Sequence, residues 1–434
     1  MTRAALILVF ISMLLQYASA ELRLKLDYPR LVGASNDSAT HYWFPTDMSV
    51  VFNASHFLLG ARLADDCSDY FCNHTTTCKP SDPSHQISMS TDGGRHFIHL
   101  WKVGGTSPWS AGLQARPFIG PCTVELNATT RLSLYQGKIW APYKNKAAIF
   151  RLDPISGMSW GISKKAVVYN GADSACGSGH LWNQGVIKTA NEWLMSAQCD
   201  IKSIVNGTET KVAIALIFSS EDGFIWNLRS KVNVSAPIGE KQCTSPGENT
   251  IVELSGKRLL LVARCGDNQQ LLAWISTNGA VTWQRHRLTQ GMFGVMPVAV
   301  RMDNGAIVLT TGRGGLALWL NANGDGRDWK LTNVGQAHNK LILQNRDLNG
   351  ASLQYTSEFV QFEQTGETTA YNTLRKLGDN DGIICYDRTS SSGAIPGKPS
   401  CGPPGNRDKN DHLFCMRFSV VGTAEQGNKN IYDE

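Results

Sequence analysis

Ser90-Thr91-Asp92-Gly93-Gly94-Arg95-His96-Phe97 is the stretch from which the fold can be read. It returns as Ser219-Ser220-Glu221-Asp222-Gly223-Phe224-Ile225-Trp226 and again as Ser276-Thr277-Asn278-Gly279-Ala280-Val281-Thr282-Trp283. The three phrases share one template: Ser first, an acid or amide third, a small residue fifth and an aromatic eighth. Such a phrase suits a tight β-turn in which an Asp or Asn side chain bonds its own backbone, a Gly takes positive φ, and the aromatic enters the core. A weaker copy runs over 321–329, and 153–160 fills the wide gap between the first and second phrases. The closing aromatics are then Phe97, Trp160, Trp226, Trp283 and Trp329, separated by 63, 66, 57 and 46 residues. Intervals of this size are those of four-stranded propeller blades. One more blade fits after Trp329, through 354–362 and 382–387, so the sequence predicts an all-β fold, a six-bladed β-propeller of four-stranded antiparallel blades.

Composition agrees with a large secreted β protein. Residues 1–20 read as a signal peptide, with Arg3 in the n-region, an apolar run over 4–15 and Ala18-Ser19-Ala20 as the cleavage site. Residues 21–434 then form one closed propeller of about 69 residues per blade, rather than several domains. No other apolar stretch is long enough to cross a bilayer. In an extracellular or secretory-pathway setting the eleven cysteines favour disulfides over metal ligation, and their odd number leaves at least one without a partner inside the chain. The cluster Cys67, Cys72, Cys78 with His74 and His85 has some look of a zinc site, but a disulfide-stapled loop is the preferred reading. Six sequons, at Asn36, Asn53, Asn73, Asn127, Asn206 and Asn233, fit a glycoprotein.

The net charge of +5, without a basic run or basic helix, argues against nucleic acid as a partner and leaves a small anionic ligand compatible. There is no His-Glu-x-x-His, no Gly-x-Ser-x-Gly and no phosphate loop, since Gly312-Arg313-Gly314-Gly315 leads into a strand-like run instead of a helix. Laying the blades over one another exposes a different pattern. Glu248 opens 249–254, Ser255-Gly256 turns the chain, and 258–263 leads to Arg264. In the next blade Pro297 opens 298–302, Asp303-Asn304-Gly305 turns, and 306–312 leads to Arg313. Both intervals are 16 residues, and Pro45 precedes Arg62 by 17. Equivalent positions in blades sit at one height around the axis, so Arg62, Arg264 and Arg313 are expected to ring one mouth of the channel, with Glu248 and Tyr355 pointing toward it. Converging guanidiniums repel unless an anion joins them, and their fork matches a carboxylate. The competing reading gives each arginine a local acid such as Asp65, Glu253, Asp267 or Asp325.

The Asp-box turns, the series Glu248-Asn249-Thr250-Ile251-Val252-Glu253-Leu254 through to Arg264, the later Arg313, and Tyr355-Thr356-Ser357 followed by Ile383-Ile384-Cys385-Tyr386-Asp387 together resemble the exo-α-sialidases (neuraminidases). The resemblance implies that Arg264 and Arg313 are the second and third members of a triad holding the sialic acid carboxylate. It also implies that Tyr355 is the nucleophile and Glu248 the carboxylate sharing its proton. Arg62 matches a family arginine near the acid/base aspartate and joins the carboxylate-binding set. For that aspartate Asp65, Asp66 and Asp69 all qualify, with Asp69 narrowly ahead of Asp66. At the first triad position the sequence departs: Tyr42-Trp43-Phe44-Pro45 carries Trp43 where the family has arginine, and Arg30 lacks the following strand.

The chemistry is coherent. The anomeric carbon of a sialoside already bears a carboxylate, so a neutral phenol avoids the repulsion that a carboxylate nucleophile would meet, and an adjacent glutamate supplies the base that a phenol of pKa about 10 needs. No metal or organic cofactor is expected, and the expected partners are sialylated or other acidic glycans. A catalytically silent, glycan-binding propeller is the alternative, and a different acidic or neutral glycan a third. His180, with Trp182 and Asn183, opens a strand of the third blade where a glycerol or N-acyl group would be contacted. Trp101, Trp109 and Trp140 are read as core wedges in preference to sugar platforms.

Overall fold

The computed structural model describes residues 21–34, 42–64, 84–103, 122–134, 137–138, 147–153, 155–176, 180–205, 208–235, 243–244, 246–266, 269–312, 316–349, 372–388 and 412–422. Their strands form six sheets arranged as the blades of a propeller, antiparallel except where the edge strand Val168–Asn170 runs parallel to Ile225–Asn233. From the inner to the outer strand, the first blade is Tyr42–Val51, Phe57–Ala64, Ser84–Ser90 and Ile98–Val103, and the second Cys122–Asn127, Thr130–Leu134, Ala147–Asp153 and Gly157–Ile162. The third is His180–Lys188, Trp193–Val205, Thr208–Ser220 and Ile225–Asn233, extended at its edges by Gly137–Lys138 and Val168–Asn170. The fourth is Asn249–Glu253, Leu259–Ala263, Leu272–Ser276 and Gln284–His286, and the fifth Val295–Arg301, Ile307–Gly312, Ala317–Asn321 and Lys330–Asn333.

The sixth blade takes strands from both ends of the chain. Asn372–Lys376, Asp381–Arg388 and His412–Gly422 supply three, and Leu22–Leu26 pairs with the last of them as the outer strand. Arg30–Ala34 continues along the same partner. Leu22, Leu24 and Leu26 are the less exposed positions of an alternating strand and pack on the core between the fifth and sixth blades. Of the two segments expected to build this blade, 382–387 lies within Asp381–Arg388, and 354–362 lies outside the described residues.

Burial explains the closed ring. A sheet with two apolar faces needs cover on both, and the second strand of the fourth blade, Leu259-Leu260-Leu261-Val262-Ala263, is buried throughout. The buried apolar residues divide into six clusters, one at each blade-to-blade interface. The cluster joining the sixth blade to the first contains Phe57, Leu59, Ile383 and Cys385. Among the described residues one helix is longer than a single turn, Val334–Asn349, which follows the fifth blade and buries Val334 and Ile342 in the fifth–sixth cluster.

The repeated phrases are hairpin turns between third and fourth strands, and each pegs its blade to the preceding one. In the first blade, Ser90 Oγ donates to Asp92 Oδ1 (2.9 Å) and accepts from Gly94 N (2.7 Å), while Asp92 Oδ1 accepts from the amides of Arg95 and His96 at 3.0 Å. Gly94 lies so close to Ile383 of the sixth blade that a Cβ would come within 2.9 Å of its Cδ1. In the fourth blade, Ala280 N donates to Ser276 Oγ at 3.0 Å, the Ala280 carbonyl accepts from Ser230 Oγ of the third blade at 2.5 Å, and Trp283 Nε1 reaches the same hydroxyl at 3.0 Å. In the fifth, Ser255 N of the fourth blade donates to Gly324 O at 2.7 Å.

Three phrases depart from the template. In the second, Ser220 and Asp222 form the turn in place of Ser219 and Glu221: Gly223 N bonds Ser220 Oγ at 2.9 Å, and Phe224 and Ile225 bond Asp222 Oδ1. Ser219 stays in the strand ladder opposite Leu194 and Asn227, so the turn is one residue shorter. The weak copy is of this shorter kind, since Trp329 Nε1 bonds Gly326 O as Trp226 Nε1 bonds Gly223 O, each at 3.0 Å. At 153–160, Asp153 Oδ1 accepts from Ile155 and Ser156 at 2.8 Å, but Trp160 is 43% exposed. It lies on the outermost described strand of the second blade, and the expected burial fails there.

These turns make stability sensitive to acid. Partial burial pushes the Asp92 carboxyl up, but the amide and ring of His96, with Ser90 and Arg95, outweigh it and hold it at about 2. Asp222 is likewise raised by burial and held at about 2 by Lys165 and the amides of Ile225 and Phe224. Both values lie below the ordinary 3.8, so these carboxylates contribute fully above about pH 4, and the contribution is lost as pH falls through about 2. Urea titrations at pH 7, 4 and 2.5 should therefore show a smaller stability loss between pH 4 and 2.5 in Asp92→Asn than in the parent. An equal loss in both would remove Asp92 from the acid response.

Three disulfides are present among the described residues, joining Cys176 to Cys199, Cys243 to Cys265, and Cys385 to Cys415. Cys67, Cys72 and Cys78, and with them the stapled loop, lie outside the described residues, as does His74. No helix among the described residues is long and apolar enough to cross a membrane. Asn53, Asn127 and Asn233 are exposed sequon positions.

Candidate functional site at a channel mouth

Glu248 stands one residue before the inner strand Asn249–Glu253, and Arg264 one residue after Leu259–Ala263. Because Asn249 pairs with Ala263, the two residues face each other at one end of the hairpin, where Arg264 N donates to Glu248 O at 2.8 Å. Their side chains meet in turn: Arg264 Nη1 lies 3.1 Å from Glu248 Oε2, with side-chain exposures of 11% and 14%. An ion pair this sheltered is screened little by solvent. Two of the acids weighed as local partners turn elsewhere. Glu253 pairs with Arg301 at 3.2 Å, and Asp325 accepts from Asn321 within its own turn. Asp65 and Asp267 lie outside the described residues.

A second donor reaches the same carboxylate from the next blade. Met296 N donates to Glu248 Oε2 at 2.7 Å. This contact comes from a β-bulge: Val295 pairs with Gly312, but the next partners are Val298 and Thr310, so the ladder shifts between them. The strand thus opens at Val295, two residues before Pro297. Met296 has φ 46°, and Gly294 has φ 123° with its Cα hydrogen facing the Gly312 carbonyl closely enough that a Cβ would come within 2.5 Å of the oxygen. One strained segment therefore holds the Glu248 carboxylate through Met296 and crowds the backbone that leads into Arg313. Gly294→Ala should destabilise the protein by about 2 kcal/mol or more, through both the φ and the overlap. Met296→Gly keeps the amide, relieves the positive φ, and should be neutral or slightly stabilising; comparing the two melting temperatures checks this.

The other flank is equally crowded. Gly247, at φ 148°, packs against the Gln198 amide, which donates to Asp200 Oδ1 at 3.2 Å, and Asp200 is buried at 6% exposure. Cys265, directly after Arg264, is fixed to Cys243. Sequence reading missed the Met296 amide, Gln198 and Asp200. The glycines at 291 and 294 flanking Met292-Phe293 were the available signal for a bulge.

Arg62 lies in Phe57–Ala64, opposite Phe44 and near the end of its blade's second strand, which is the place Arg264 follows in the fourth blade. Its side chain, like those of Trp43, His180, Trp182, Asn183 and Trp101, is outside the described set. Arg313 directly follows Ile307–Gly312 but is itself outside the described residues, as are Tyr355, Asp65, Asp66, Asp69, Trp109 and Trp140. The structure therefore brings Glu248 and Arg264 together and is silent on the others' side chains. Tyr386, the nearest described tyrosine after Tyr355, is no substitute: it is 1% exposed, its hydroxyl bonds His338 Nδ1 at 2.5 Å, and burial pushes its pKa well above 10.

No protein-family model matches the sequence, and no curated protein matches it. Among solved structures the chain is similar to a protein of unknown function from Dyadobacter fermentans DSM 18053. The two are 15% identical with a TM-score of 0.53, covering 92% of this chain and 99% of that one. It is also similar to the Hadza microbial sialidase Hz136, at 11% identity and TM-score 0.46, with 91% of this chain and 68% of that one covered. A third similarity, to Trypanosoma rangeli sialidase in complex with sialic acid, has 12% identity and TM-score 0.39, with 92% and 59% covered. The first of these likenesses bears on the fold alone. What fold and site define together is a six-bladed β-propeller with a sheltered Glu–Arg pair at one mouth of its channel.

Proposed function

We propose that this chain is a secreted glycoside hydrolase of the exo-α-sialidase type, removing a terminal sialic acid or related acidic sugar from glycoconjugates. The observation that carries the reading is the Glu248–Arg264 pair, closed at 3.1 Å where two strands of one blade meet the channel mouth. Arg264, Arg313 and Arg62 would receive the substrate carboxylate. A guanidinium offers five N–H donors in a planar fork, so one contact to Glu248 is compatible with a second anion on the other side.

In this mechanism the Tyr355 hydroxyl attacks the anomeric carbon while Glu248 accepts its proton, and Asp69 or Asp66 protonates the departing glycosidic oxygen. Water then attacks the tyrosyl-bound sugar, giving up a proton to the same aspartate. Glu248 returns the first proton to the phenol oxygen as the bond breaks, so the configuration is retained. The test is turnover of a fluorogenic sialoside. The parent should release fluorophore, and Tyr355→Phe should lower kcat by about 10³-fold or more without loss of fold, as removal of a nucleophile does in other covalent enzymes. Turnover unchanged in Tyr355→Phe would exclude this nucleophile.

Trp43 in place of the first triad arginine favours one second reading, a propeller that binds sialylated glycans without cleaving them. Sialoside binding with no fluorophore release would select it.

A further inference from the structure

Two of the sequons on described residues occupy the same place in consecutive blades. Asn53-Ala54-Ser55 is the hairpin turn that follows the inner strand Tyr42–Val51 of the first blade, and Asn127-Ala128-Thr129 is the turn that closes Cys122–Asn127 in the second. Both lie at the end of their inner strands, whereas Glu248 precedes its own. Equivalent strands of a propeller run the same way, so both turns sit on the face opposite the Glu248 mouth. A third sequon, at Asn233, ends an outer strand and so lies on the mouth side, with its Ser235 only 8% exposed and donating to Ala213 O at 3.1 Å.

The two turns are built alike. Asn53 Oδ1 accepts from the amides of Ser55 and His56 at 2.9 Å, and Asn127 Oδ1 accepts from the Thr129 amide at 3.0 Å and the Thr129 hydroxyl at 3.2 Å. Each carboxamide is thus fixed through its oxygen as an Asx-turn. Neither Nδ2 has a hydrogen-bond partner among the described residues, and Asn53, Ser55, Asn127 and Thr129 are all exposed. A substituent on Nδ2 therefore meets solvent and leaves the bonds of the turn in place. The turns are also neighbours. Arg131 donates from Nη1 to Asn127 O at 2.5 Å and from Nη2 to Phe52 O at 3.0 Å, so one guanidinium holds Asn127 and the residue before Asn53. Gly93 N donates to Ser55 O at 3.0 Å, which sets the repeated turn of the first blade against the first sequon.

We infer that Asn53 and Asn127 carry N-linked oligosaccharides side by side, so that glycan covers the face opposite Glu248. The inference rests on the secretory-pathway part of the proposed function and not on its sialidase chemistry. In the transfer, Nδ2 attacks the anomeric carbon of a lipid-linked oligosaccharide diphosphate: the N–C bond forms, the C–O bond to the diphosphate breaks, and one amide proton leaves with the diphosphate. The test is to express the full chain in insect cells behind its own residues 1–20 and, in parallel, behind a host leader, and to read intact mass and glycopeptides before and after amidase release of N-glycans. Both sequon peptides should carry glycan, with Asn53 and Asn127 converted to Asp on release. Ser55→Ala and Thr129→Ala keep the asparagine and its bonds to the backbone amides; each should lose the mass of one glycan, and the double variant that of two. Export behind the host leader alone would contradict the secretory reading, with the sequon peptides of that sample still deciding the inference. Exported chain with either peptide bare, or a mass deficit of no glycan in Ser55→Ala or Thr129→Ala, would overturn it.

Discussion

Trp226→Ala should destabilise the protein by about 3–5 kcal/mol, the largest stability effect expected of any single turn residue. The ring is fully buried, its Nε1 bonds Gly223 O at 3.0 Å, and it sits in the cluster that joins the second and third blades with Val124, Leu132 and Phe218. Burying roughly 200 Å² of indole at about 25 cal/mol/Å² gives about 5 kcal/mol of transfer free energy. The interface between two sheets cannot collapse into the resulting cavity, because each blade is also held by its other neighbour. Trp160→Ala is the internal control. That ring is 43% exposed on an outer strand, and its loss should cost less than about 1 kcal/mol. Thermal melts of the two variants beside the parent decide the matter, and equal losses would mean that the turns do not peg blades together.

Arg264→Ala should have the largest effect on ligand handling. It removes a charge-assisted donor set at the channel mouth and takes from Glu248 a partner 3.1 Å away, leaving the carboxylate with one donor fewer beside the Met296 amide. Hydrogen bonds to charged groups contribute about 1.5–3 kcal/mol each, so losing a bidentate clamp should weaken binding of an acidic sugar by about 10²–10⁴-fold. Arg264→Lys should recover only part of this, because an ammonium restores the charge without the planar fork. Full recovery by lysine would mean that charge alone, and not the fork, is what the position supplies.

How far the fold could be read from the chain depended on how local the physics was. Ser90, Asp92 and Gly94 satisfy one another within five residues, so their pattern survives in sequence and repeats with the blade. Ser219 and Ser220 are adjacent and chemically identical. Only the ladder position of Ser219 shows which one turns the chain, and that is set in part by Leu194, 25 residues away. Closure of the sixth blade by Leu22–Leu26 pairs residues almost 400 apart, beyond any periodicity. At the site, Glu248 and Arg264 were legible because a regular hairpin keeps its spacing. The Met296 amide was not, because a backbone donor leaves no side-chain signature and a bulge shifts the register without changing residue type.

The central claim is that the mouth carrying Glu248 and Arg264 recognises a sugar carboxylate, and it is tested most directly by one titration. Binding of sialic acid and of its carboxyl methyl ester would be measured by calorimetry on the parent and on Arg264→Ala. The account predicts that the free acid binds the parent, and that esterification and the substitution each weaken binding by about 100-fold, with little further loss when combined. Equal affinity of acid and ester for the parent, or undiminished binding of the acid to Arg264→Ala, would contradict it.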